Sequence, residues 1–385
     1  MNASLPIPSN EALAQSESLA HLIRTEMTAN GGWLDFARYM HLALYAPGMG
    51  YYSGGLKKFG SGGDFVTAPE ISPLFARTLA RQAAEIVAMT RGDILELGAG
   101  TGRLAAGLLL ELAELQALPG RYLILEVSAY LRDEQRRTLQ AMLPAELFAR
   151  VGWLDTLPAG FRGLVLGNEV LDALPVHVVR TSADGTQELG VTEAEGRFVW
   201  APRKLTNPAV LEMLQSLQLP DEYTTELCPA AAGLIASLAD MLEEGAILLI
   251  DYGFPRREYY HAQRHEGTLI CHYRHHAHDD PFVYPGLQDI TAHVDFTLAA
   301  ETAVAHGLAL KGYCGQAQFL INCGITALMS EVSPHDIAAY APVAAAAQKL
   351  LSPAEMGELF KVVAFGKRCE YPLMGFSSGD RSHTL

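Results

Sequence analysis

The residues most able to do chemistry lie where short apolar runs end. Asp93-Ile94-Leu95-Glu96-Leu97 leads into Gly98-Ala99-Gly100-Thr101-Gly102, and helical periodicity starts at Leu104. Glycines so spaced permit a tight turn and let a ligand approach the backbone, while the amino end of the next helix offers unpaired N–H groups. A nucleotide-like ligand is expected there. The pattern is E-x-G-x-G-x-G, not the G-x-G-x-x-G of dinucleotide folds. Glu96 beside a pyrophosphate would be repelled, whereas beside the cationic amino-acid portion of S-adenosylmethionine it is favourable, directly or through water. Glu96, Gly98, Gly100, Thr101 and Gly102 are therefore expected cofactor contacts.

The next run ends at Glu126. A carboxylate there can accept both hydroxyls of a ribose, in NAD and S-adenosylmethionine folds alike; capping the following helix is the alternative. Asp155, after Val151 to Leu154, can bond an adenine amino group or serve as an ordinary turn residue. The fourth run delivers Asn168, Glu169 and Asp172. In a sheet of this kind that loop lies beside the transferable methyl, so these three are the candidate catalytic residues, with Asn168 also touching the cofactor. If the loop is helical, the i, i+3 spacing puts Glu169 and Asp172 on one face, where they could grip a guanidinium. A cap at Asn168 with two solvated acids is the structural alternative. Asp251 stands at the end of a fifth run. Upstream, Asp64, Thr67, Glu70 and Ser72 are placed to fold over the methionine end, with helix capping as the alternative for Thr67 and Ser72. Arg103 is expected to cap or pair.

These positions need a scaffold. Apart from Glu96, the runs Ile94–Leu97, Tyr122–Leu125, Leu164–Leu166 and Ile247–Ile250 are apolar at every residue, which suits central strands of a parallel sheet covered on both faces. The fold class expected is α/β, a doubly wound sheet binding its ligand at the strands' carboxyl ends. Residues 1–17 read as a flexible arm and 18–90 as a helical preface, capped by Ser18, with a glycine-rich lid. Residues 91–385 read as the main domain, with cap insertions at about 176–225 and 254–295. Alternation broken at Asp184-Gly185 and Glu195-Gly196 predicts hairpins in the first insertion. The second holds seven of the thirteen histidines. Their run, His272 to His278, lacks finger or helical ligand spacing, so no metal is expected.

Of 385 residues, 49% are hydrophobic and 18% charged, enough to bury a large core, and the formal charge of −15 opposes nucleic-acid binding. Five scattered cysteines signal neither disulfides nor zinc. No apolar run reaches the ~20 residues of a membrane span. No Lys or Arg precedes Arg24, so no basic leader is read and a cytoplasmic location is expected.

Several segments together resemble one family: GDFVTAPEISPLF (63–75), LELGAGTGRLA (95–105), EVSAYLRDEQ (126–135), GNEVLDALPV (167–176), IDYG (250–253) and YRHHAHDDPFVYPGLQDITAHVDF (273–296). The match resembles the MidA family of S-adenosylmethionine-dependent methyltransferases, whose mitochondrial member is an arginine methyltransferase acting in respiratory complex I assembly. It runs from about residue 20 to the segment Phe360 to Phe365. The resemblance implies a seven-stranded class I methyltransferase sheet with a family-specific cap and S-adenosyl-L-methionine as cofactor. It also implies a protein substrate methylated on arginine, with a respiratory-complex subunit among the partners suggested. A non-catalytic assembly factor that binds the cofactor and a small-molecule methyltransferase fit the same residues. Glu96 opposes a nicotinamide oxidoreductase.

Overall fold

A computed structural model describes residues 5–55 and 67–385. The chain forms two units: the described parts of Met1–Phe65 with Leu171–Gly233 and Arg257–His293, and the described parts of Val66–Val170 with Leu234–Arg256 and Val294–Leu385.

The second unit is built on eight strands: β1 (Asp93–Leu97), β2 (Tyr122–Leu125), β3 (Val151–Leu154), β4 (Phe161–Asn168), β5 (Leu242–Phe254), β6 (Val294–Asp295), β7 (Ala309–Gly315) and β8 (Phe360–Lys367). Seven run in the order β7-β8-β5-β4-β1-β2-β3, and β6 pairs beside the end of β5. The five from β3 to β5 are mutually parallel, whereas β8 is antiparallel to both its neighbours. Ile94, Leu95, Leu164, Val165, Leu166, Leu248 and Leu249 are all buried, so side chains of both parities along the central strands leave water. Each such burial is worth about 1.5–3 kcal/mol. The fully apolar runs are thus strands covered on both faces, as their composition predicts. The helix Pro73–Thr90, capped by Ser72 through Leu74 N–H, sends Phe75, Leu79, Ala83 and Ile86 into this core.

In the first unit, Gln187–Ala194 pairs antiparallel with Leu34–Asp35, His177–Arg180 and Arg197–Lys204, and His177–Arg180 pairs with Thr224–Leu227. The turn between Gln187–Ala194 and Arg197–Lys204 carries Glu195 and Gly196, both with positive φ, as the broken alternation predicts. A smaller sheet joins Ile270–Tyr273 to His276–His278 and to Asp289–Thr291. Glu226 fastens this segment from the neighbouring strand. Its buried carboxylate accepts from Thr268 N–H and Oγ1–H and from Leu269 N–H.

Several expectations need correction. The first helix is Asn10–Ala29, capped by Ser9, so the expected arm is helical from residue 10 onward. Ala12, Leu19, Ala20, Ile23 and Met27 are buried at helical spacing, and Ser18 lies inside the helix, donating to Ala14 O. The helix Pro73–Thr90 belongs with the sheet rather than with a preface, and both insertions fold with the N-terminal segment. β5 continues to Phe254, so Asp251 lies within a strand rather than at its end. β7 was not legible, because Leu310-Lys311-Gly312 interrupts its apolar pattern and its register shifts there.

Candidate functional site

Beyond β1 the chain turns on Gly98, Gly100 and Gly102, with φ of 59°, 51° and 84°. This is left-handed backbone, which costs other residues roughly 1–2 kcal/mol. A Cβ at Gly102 would also stand 3.2 Å from Gln135 Cα. Gly102 opens the helix Arg103–Glu114 with no side-chain cap, leaving its first N–H groups for a ligand. Glu70, on the short helix Ala68–Ile71, straps this loop from outside: it accepts from Thr101 Oγ1–H at 2.5 Å and pairs with Arg103 at 3.0 Å. Thr101, Glu70 and Arg103 are thus brought together. Asp64 lies outside the described residues.

Glu96 is buried on β1 and accepts from Tyr122 OH on β2 at 2.6 Å. Burial pushes its pKa up to about 7; the tyrosine bond opposes the rise and the nearby Glu126 carboxylate adds to it. Glu126 is also buried, just past β2. Its oxygens accept from Ser128 N–H at 2.9 Å and from Gln135 Nε2–H at 3.0 Å. Burial raises its pKa and these donors pull it back. Ser128 caps the helix Ala129–Met142, so Glu126 is free of that duty. Val127 between them is 74% exposed, an apolar side chain at a strand tip that sequence reasoning passed over.

Asp155 stays at the rim, its side chain 89% exposed and paired with Arg132 at 2.7 Å. The same guanidinium donates to Glu126 O and Leu154 O, tying the ends of β2 and β3 together. Arg132 and Gln135 were missed because their helix reads as a charged surface helix.

Asn168 ends β4. Its Nδ2 donates to Glu169 Oε1 at 3.1 Å, while its Oδ1 is buried with no hydrogen-bond partner among the described residues. A buried acceptor left unmatched points to a ligand donor. Glu169 has φ of 54° and its N–H donates to Ile250 O on β5. Asp251 holds the loop: its carboxylate accepts from Val170 N–H at 3.1 Å and Tyr252 N–H at 2.9 Å. The segment after Asn168 is bends and turns, so the helical condition under which Glu169 and Asp172 would share a face is not met. A positive φ at Glu169 is incompatible with helix continuation.

Asp172 belongs to the other unit, where it is buried and its backbone oxygen accepts from Ala292 N–H. Nearby in that unit Tyr52 OH donates to Asp289 Oδ1 at 2.8 Å. Burial, then Asp289, holds the Tyr52 phenol well above its usual range. The histidine run forms a hairpin turning on Arg274 and His275, both with positive φ. Among the described residues no group of three or more His, Cys, Asp or Glu is arranged to hold a metal, and no helix is long and apolar enough to cross a membrane.

Left-handed glycines, an uncapped helix end, buried carboxylates and an unmatched amide oxygen suit a long ligand with vicinal hydroxyls and a cationic end. Residues 78–314 match the family of S-adenosyl-L-methionine-dependent methyltransferases. A protein arginine methyltransferase of Danio rerio, NDUFAF7, is 30% identical over 90% of this chain and 86% of its own. Its Homo sapiens counterpart is 29% identical over 86% and 80%. Both are named as mitochondrial. A crystal structure of a likely methyl transferase from Burkholderia thailandensis, bound to S-adenosyl-homocysteine, is 52% identical, with a TM-score of 0.96 over 99% of this chain and all of that one.

Proposed function

The chain belongs to the S-adenosyl-L-methionine-dependent methyltransferase family, and from that premise we propose that it methylates an arginine side chain of a protein, using S-adenosyl-L-methionine. We read the order β3-β2-β1-β4-β5-β8-β7 as the seven-stranded class I arrangement, with β6 an annex to β5. The names of the curated relatives support the arginine acceptor, and a respiratory-complex subunit is the partner that the resemblance suggests.

The cofactor supplies an electrophilic methyl: a guanidinium nitrogen forms the N–CH3 bond, the S–CH3 pair returns to sulfur, and the nitrogen releases a proton. The chain's task is alignment. Glu126 takes the ribose hydroxyls and Val127 offers apolar contact to the purine. The turn at Gly98, Gly100 and Gly102 admits the methionine portion, with Glu96 and Asn168 Oδ1 toward its ammonium end. An arginine, with a pKa above about 12, is costly to deprotonate beforehand, so a carboxylate that orients it is of more use than a strong base. Glu169 is placed for that at the tip of β4. Asp172 is a separate candidate, tested by its own substitution.

The observation that carries the reading is the loop after β4, where Asp251 pins Val170 and Asn168 keeps an unmatched acceptor beside Glu169. The test is methyl incorporation from labelled cofactor into an arginine-rich protein. Glu169→Gln should cut transfer at least about a hundredfold while S-adenosylhomocysteine affinity stays within about twofold. Undiminished turnover would remove Glu169 from the mechanism. Absence of any incorporation by the wild-type protein, with binding intact, would favour a cofactor-binding assembly factor.

A further inference from the structure

Gln135 is fully buried on a helix whose neighbouring residues, Asp133, Glu134, Arg136 and Arg137, are polar and charged. Its companions on the buried face, Leu131 and Leu139, are apolar. Burying an amide is unfavourable unless its hydrogen bonds are made, and packing alone would favour a third leucine. Gln135 makes them on three other elements. Nε2 donates to Glu126 Oε2 at 3.0 Å and to Gly100 O at 3.1 Å, and Oε1 accepts from Trp153 Nε1–H on β3 at 2.9 Å. An indole nitrogen only donates, so Trp153 fixes which end of the amide is oxygen and turns both N–H groups toward Glu126 and Gly100.

We propose that Gln135 is a positioning residue for the cofactor's ribose: it acts through Glu126, with Trp153 setting its orientation. The proposal rests on Glu126 holding the ribose. Ser128 N–H and Gln135 Nε2–H grip different oxygens of that carboxylate, which fixes its plane before the sugar arrives. Because the same Nε2 also holds Gly100 O, one side chain sets the spacing between the ribose carboxylate and the glycine turn. Pre-orienting a charged acceptor in a buried site removes ordering that binding would otherwise have to supply.

The test is calorimetric titration of S-adenosylhomocysteine into wild type, Gln135→Met, Trp153→Phe, Glu126→Gln and the Gln135→Met/Glu126→Gln pair. Gln135→Met keeps the volume and removes the bonds, and should raise Kd about tenfold. Trp153→Phe, which frees the amide to rotate, should raise it about threefold. With Glu126 already replaced, the added Gln135→Met should cost no more than about twofold, because the two act as one unit. At saturating cofactor kcat should hold within about twofold while KM for S-adenosyl-L-methionine rises, a split that a merely structural defect would not give. Additive effects in the pair, or Gln135→Met binding within about twofold of wild type, would overturn the proposal. If Gln135→Met does not fold, an unchanged Kd in Trp153→Phe overturns it instead. If Glu126→Gln itself binds like wild type, the ribose assignment to Glu126 fails, and this inference with it.

Discussion

Glu96 carries two demands at once: it is a carboxyl at a cofactor strand, and it is buried against Tyr122 with Glu126 close by. Its pKa, 4.5 in an unperturbed chain, rises to about 7. The folded protein therefore holds this proton more tightly than the unfolded one. Its contribution to stability is complete below about pH 4.5 and is lost as pH rises through about 7, about 3 kcal/mol in all. Glu96→Gln mimics the protonated form, so it should match wild type at about pH 4 and exceed it by roughly that amount at about pH 8 in urea denaturation. Equal stabilities at both pH values would refute the assignment. At this scale the sequence was only partly legible. Glu96, Glu126 and the glycines were readable because their types and spacing are tied to backbone and ligand chemistry. Gln135 and Arg132 were not, because a polar residue on a polar helix carries no mark of the tertiary partner it will meet.

The element that matters most is the turn from β1 into the helix Arg103–Glu114. Gly102→Ala sets a Cβ on left-handed backbone and against Gln135, so it should cost roughly 1–2 kcal/mol and weaken S-adenosylhomocysteine binding at least about tenfold. A thermal melt and a titration on the same sample check both, and an unaltered Kd would show that the turn does not shape the site. The central strands were legible since all-apolar runs have few homes other than a doubly covered sheet. The sequence leaves the conformation of the loop after β4 open: the i, i+3 spacing of Glu169 and Asp172 is compatible with a helix, but β5 claims the loop's amides through Ile250 O and Asp251, and a ladder beside a fixed strand wins over one isolated helical turn.

Across the whole molecule the charge is −15, and the proposed acceptor is cationic. Long-range attraction should aid the peptide and be screened by salt. KM for an arginine-rich peptide is therefore expected to rise severalfold between about 50 and 300 mM salt, with KM for the cofactor nearly constant. A peptide KM indifferent to salt would assign recognition to contacts rather than field. The division into two units also belongs to this scale. The helix Asn10–Ala29 shares a core with residues over a hundred positions away, such as Leu189, Val191 and Ile290, and only folding reveals that association.

The sequence by itself determined the α/β class, the glycine turn, the central strands and the family they resemble, because each is written in local periodicity or in fixed spacing. Tertiary structure alone decided which buried groups meet. Gln135 joining Glu126, Gly100 and Trp153, Glu70 strapping Thr101 and Arg103, and Asp251 holding Val170 all depend on hydrogen bonds between distant segments, and a linear pattern does not encode the partner that satisfies a buried polar atom.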